Sequence, residues 1–104
     1  MRGDLFRVKA ARGAVGDEQH GGRFAAVVQS DFVQPSTLLV APTSTSAKWA
    51  QYRPEIEVDG TATRVLIEQT MTVDPQRLGE FAGRLDAQEM SAVDDALKLV
   101  YALG

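Results

Sequence analysis

Cysteine is absent from the 104 residues, and histidine occurs once. The first absence excludes disulfides and every thiolate metal site. The second leaves too few imidazoles for a structural zinc centre. No structural metal centre is therefore expected, and no cofactor is assigned. No apolar run approaches the roughly twenty residues that span a bilayer. The opening Met1-Arg2-Gly3-Asp4 lacks the hydrophobic segment of a signal peptide. The reading is a cytoplasmic protein with no membrane association. Repeats, low-complexity tracts and linkers are also missing, as is the uniform basic excess of a non-specific nucleic-acid binder: the formal net charge is −3.

What is present fits one globular domain over residues 1–104, with 44% hydrophobic and 24% charged residues. The charge is unevenly spread. Residues 1–53 carry seven basic groups against four acidic ones, whereas residues 54–104 carry four against ten. An anionic ligand could therefore meet a local positive surface built from the first half.

Arg2 to Lys9 alternates as a strand, and Ala10 to Gly22 has no periodicity and reads as a loop. Arg23 then stands at the head of Phe24-Ala-Ala-Val-Val28, a near-continuous apolar run typical of a central strand buried on both faces. Arginine there is either a strand-end charge or a rigid anion fork, its planar guanidinium being suited to phosphodiesters. Ser30 to Ser36 is turn material, with Phe32 and Val33 folded under as one short turn. Thr37 to Ala41 reads as a strand that ends at Pro42. The hydroxyls that follow (Thr43, Ser44, Thr45 and Ser46) are turn and capping material, or else donors converging on a phosphate.

Ala47 to Tyr52 forms a loop carrying Lys48, Trp49 and Tyr52. Such aromatics beside cations either stack unpaired bases or close one end of the core. Pro54 to Val58 alternates, Asp59-Gly60 is a hairpin signal, and Thr63 to Thr72 returns as a strand with a polar break at Glu68-Gln69. Asp74-Pro75 starts a single helical turn. Leu78 to Leu85 is a last strand, and Asp86-Ala-Gln-Glu89 is a capping box opening a helix over about residues 87–103. The fold class is mainly β with a C-terminal α-helix: a small curled antiparallel sheet of five to seven strands with the helix laid against it.

Four pieces in fixed order carry a resemblance. They are Arg2-Gly3-Asp4-Leu5-Phe6, Glu18-Gln19-x-Gly21-x-Arg23, Val40-Ala41-Pro42-Thr43-Ser44 and Glu68-Gln69-x-x-Thr72-Val73-Asp74. With the terminal helix, this set resembles the MazF/PemK (Kid) family of toxin–antitoxin ribonucleases over nearly all of residues 2–103. The resemblance implies an SH3-like barrel, a homodimer and metal-independent cleavage of single-stranded mRNA. It also implies inhibition by a cognate antitoxin whose acidic, disordered C-terminal tail occupies the RNA groove. The family's catalytic arginine falls on Arg23 and its threonine on Ser44, where serine keeps the hydroxyl. The proline that commonly follows the arginine is Phe24 here, and a basic residue common two places after the second Glu-Gln pair is Met71.

Cleavage without metal uses the RNA's own 2′-hydroxyl and leaves a 2′,3′-cyclic phosphate and a 5′-hydroxyl. Arg23 would stabilise charge growing on the phosphoryl oxygens, and Ser44 would add a hydroxyl bond to the same phosphate. Glu18 would act as base or fix the guanidinium, and His20 is either a proton carrier, imidazole being better suited to that task than guanidinium, or a solvated loop residue beside glycine. Gln19, Thr43, Thr45, Ser46, Glu68 and Gln69 are candidate RNA contacts, with Arg12, Lys48 and Arg53 serving the backbone. Two rivals share the barrel: a CcdB-like gyrase poison that cleaves nothing, and a non-catalytic SH3-like module binding RNA or peptide.

Overall fold

The structure, a computed structural model, describes residues 1–9, 23–33 and 36–104. Seven strands lie among these residues: β1 (Asp4–Val8), β2 (Phe24–Val27), β3 (Leu38–Ser44), β4 (Glu55–Val58), β5 (Thr61–Val65), β6 (Met71–Val73) and β7 (Leu78–Arg84). One helix, α1 (Ala87–Val100), closes the order. Every pairing is antiparallel, in the order β4-β5-β3-β2-β1-β7, with β6 also on β3. The result is the mainly β half-barrel with a C-terminal helix that the sequence implies.

Local chemistry sets several of these elements. Asp59 and Gly60 both have positive φ, 51° and 78°, so they form a two-residue turn that pairs Val58 with Thr61. At the start of α1 the Glu89 amide donates to Asp86 at 2.7 Å and the Glu89 side chain accepts from the Asp86 amide at 3.0 Å. The same carboxylate accepts the Glu57 amide at 2.9 Å, tying the helix cap to β4. The helix ends at Val100, before the expected Leu103. Ala102 turns left-handed at φ 57°, and the Leu103 amide bonds back to Lys98.

Two apolar clusters flank the sheet. Leu5, Ala26, Ala41, Ile56, Val65 and Ile67 pack with Val93 and Ala96 of α1, while Ala25, Val27 and Val40 form a smaller cluster on the opposite face of β2 and β3. β2 is thus buried on both sides, as its unbroken apolar run requires.

Three expectations are corrected. β3 runs through Pro42 to Ser44 instead of stopping. The Pro42 carbonyl accepts the Leu66 amide at 2.8 Å; the missing proline N–H would face that same edge, so no ladder bond to β2 is lost. The return strand splits into β5, a 3-10 turn at Ile67–Gln69 and β6. Phe32 and Val33 are 99% and 55% exposed. Their turn is held by polar groups, the Gln29 side chain bonding Val33 and Leu39 and Ser30 bonding Phe32, so it projects its apolar residues outward.

The Arg2-Gly3-Asp4 segment clamps the fold. Arg2 donates to the Val28 carbonyl and to Asp94 of α1, and Asp4 accepts from Arg84. Gly3 lies at φ 90°, and an added Cβ would stand 3.3 Å from the Met90 sulfur. Gly3→Ala should therefore cost about 1–2 kcal/mol from backbone strain alone, read as a lower urea midpoint.

Candidate active site

The register of β2 on β3 decides where the two central candidates stand. Ala25 pairs with Pro42, Ala26 with Ala41 and Val27 with Val40. Continued by two residues, that register sets Arg23 opposite Ser44, with both side chains on the face of Ala25, Pro42 and Val40. The Arg23 carbonyl accepts the Val8 amide at 2.9 Å, which anchors the backbone while the residue itself is exposed. Ser44 is half-buried at the end of β3. Its Oγ accepts the Ser46 amide at 3.2 Å and lies 3.3 Å from the Ser46 hydroxyl.

Thr43 points the other way. It is 5% exposed, and its hydroxyl donates to the Phe24 carbonyl at 3.0 Å, so its side chain ties β2 to β3 and is not available to RNA. The neighbouring Phe24 ring is held under the Arg7 guanidinium, 4.9 Å from its centroid.

On its other edge Ser44 pairs with Arg64 of β5, and Arg64 pairs with Glu55 of β4. Ser44, Arg64 and Glu55 are therefore successive cross-strand neighbours on β3, β5 and β4. Sequence reasoning missed Arg64. Its alternation between inward Thr63 and Val65, and the hairpin turn, place it opposite Glu55, but nothing local announces the β3–β5 contact. Arg64 donates to the Arg53 carbonyl at 3.0 Å and lies 3.7 Å from Glu55.

Arg53 and Glu68 were both candidate RNA contacts, and each is engaged with the other. Arg53 donates through Nε and Nη2 to Glu68 Oε2 at 2.9 and 2.6 Å, and through Nη1 to the Lys48 carbonyl. The hydrogen bonds that Arg53 donates to Glu68 hold its guanidinium above the ordinary pKa. These two residues brace the 48–53 loop, which presents Lys48 to solvent. Thr45, Ser46 and Gln69 are also exposed. Arg12, Glu18, Gln19 and His20 lie outside the described residues.

Among the described residues no group of three His, Asp or Glu side chains could hold a metal ion, and no helix is long and apolar enough to cross a membrane. Ser44 thus presents its hydroxyl beside Arg64 on the adjacent strand, a pairing of donors that suits a phosphoryl group.

The chain is 39% identical over 98 residues to Rv3098A, a candidate toxin of Mycobacterium tuberculosis, with 93% of this chain and 92% of that protein covered. It is 32% identical over 111 residues to endoribonuclease EndoA of Bacillus subtilis, covering 98% and 94%. A mycobacterial endoribonuclease solved with its cognate antitoxin superposes with a TM-score of 0.81 at 15% identity, over 100% of this chain and 96% of that one. MazF of Deinococcus radiodurans, solved with MazE, gives 0.76 at 18%, over 99% and 95%. These two likenesses concern the fold. Residues 1–101 match the PemK-like, MazF-like toxins of type II toxin–antitoxin systems, and the chain belongs to that family.

Proposed function

We propose that this toxin acts in the cytoplasm as an endoribonuclease, cutting single-stranded RNA, mRNA foremost, without a metal ion. The observation that supports the reading is the register of β2 on β3, Ala25 with Pro42, which when extended by two residues sets Arg23 opposite Ser44. The RNA supplies its own nucleophile: O2′ bonds to the adjacent phosphorus as the P–O5′ bond breaks. The products are a 2′,3′-cyclic phosphate and a 5′-hydroxyl. One proton leaves O2′ and one arrives on O5′, so the reaction consumes none.

Arg23 offers paired N–H donors to the non-bridging oxygens, where charge accumulates at the transition state. Ser44 Oγ accepts the Ser46 amide hydrogen bond, and its own hydroxyl can turn from the neighbouring Ser46 hydroxyl to donate to the phosphate. A guanidinium is a poor proton carrier at neutral pH, so Glu18 and His20 are the groups assigned to proton transfer.

The working unit is a homodimer, in keeping with the family. A cognate antitoxin silences it by laying an acidic, disordered tail over the positive surface of the first half of the chain. The structures of related toxins with their antitoxins support a protein inhibitor of this kind.

Purified protein incubated with total cellular RNA in EDTA should generate new 5′-hydroxyl ends at one short recurring sequence. Intact RNA would return the chain to a CcdB-like gyrase poison or to a binding module.

A further inference from the structure

Trp49 is the only tryptophan in the chain, and it is 73% exposed. A large ring left in water forfeits the burial that ordinarily fixes aromatic residues in a core. It therefore does not close the barrel end. Nor does it sit on slack chain. The Arg53 amide bonds the Ala50 carbonyl, Arg53 Nη1 bonds the Lys48 carbonyl, and Glu68 and Arg64 hold Arg53 from two sides. The loop is braced on both sides of the ring, so the ring is presented ready to receive a flat partner.

That ring borders a groove of about 520 Å³ whose walls include Pro54, Arg64, Asp95 and Leu99. Arg64 is also the strand partner of Ser44, so the groove and the candidate phosphate site share a residue. Trp49 follows Ser44 by five positions, at most about 17 Å of extended chain. A nucleotide close to the scissile phosphate is within that span. The lining selects the kind of group that enters. Asp95 repels a phosphate but accepts a hydrogen bond from a base amino or imino group, while Leu99 and Pro54 offer apolar contact. Lys48, one residue before Trp49, can meet the backbone outside.

We propose that Trp49 is a stacking platform for one unpaired base beside the cut site and thereby a determinant of which RNA is cut. This rests on the ribonuclease reading above and deepens it.

The test uses the intrinsic fluorescence of the single tryptophan. Wild-type protein is titrated with a short single-stranded RNA carrying 2′-O-methyl groups throughout, which cannot be cut, and with an abasic strand of the same length and backbone. The base-bearing strand should quench the emission; the abasic strand should leave it nearly unchanged. Measured by anisotropy of a labelled strand, Trp49→Ala should weaken binding about tenfold with an unchanged salt slope, and Trp49→Phe should restore most of it. Thermal melts of both variants should match the wild type, because the ring is exposed. Equal quenching by both strands, or Trp49→Ala binding as tightly as wild type, overturns the proposal. If unmodified RNA is cut while the emission stays unmoved, stacking alone fails; if unmodified RNA is also left intact, the ribonuclease reading fails and takes stacking with it.

Discussion

Arg23→Ala should lower the cleavage rate by about 10²–10³, the range for losing one donor to a developing oxyanion. The fold should hardly notice. Arg23 is exposed, and its one described structural bond, from the Val8 amide to its carbonyl, survives any side-chain change. Surface substitutions of this kind stay within about 0.5 kcal/mol. Arg23→Lys sharpens the assignment, because lysine keeps the charge and loses the fork. If the guanidinium grips two oxygens, lysine should rescue only a small part of the rate; if Arg23 merely attracts RNA, lysine should rescue nearly all of it. Single-turnover cleavage of a fixed RNA, run beside thermal melts, separates these outcomes. A variant that cleaves at the wild-type rate, or that melts early, removes Arg23 from the chemistry.

The parts of this site that were legible in the sequence are those whose geometry is local. Asp59-Gly60 fixes its own hairpin, and Asp86 and Glu89 cap each other within one turn. Arg23 was marked by its position at the head of an apolar run. The facing of Thr43 and Ser44 was not legible, and the reason is physical. β3 is buried on both sides around Val40 and Ala41, so the in–out alternation that would tell the two hydroxyls apart is erased. Pro42 misled for a related reason: it reads as a strand end, and only the 3-10 segment beside it supplies an edge where a missing N–H costs nothing. Arg64 and the Arg53–Glu68 pair depend on contacts between elements 15 or more residues apart, which periodicity does not encode. The four-part family pattern thus mixes two duties. Its opening Arg-Gly-Asp secures the fold, whereas Arg23 and Ser44 form the proposed phosphate site.

Ile67→Ala should be among the most damaging conservative changes, although the residue is no part of the chemistry. Ile67 is 1% exposed and belongs to the cluster that joins the sheet to α1. Truncating such a side chain costs about 2–5 kcal/mol, a large share of the 5–15 kcal/mol that typically holds a domain together. For a chain of this size the melting temperature should fall by at least about 8 °C. The effect should reach the substrate face, because Ile67 is the buried foot of the 3-10 turn that carries Glu68. Its carbonyl also receives both the amide and the hydroxyl of Thr70. When that turn loosens, Glu68 loses its aim at Arg53, and the loop bearing Lys48 and Trp49 loses a brace. Glu68→Ala tests the second half of this chain of causes separately. The ion pair is partly exposed and screened by solvent, so the melting temperature should move little while RNA affinity falls. If Glu68→Ala leaves RNA binding untouched, the pair does not position the loop. If Ile67→Ala melts within 3 °C of wild type, roughly the scatter of surface changes, the residue is not the anchor that its burial indicates.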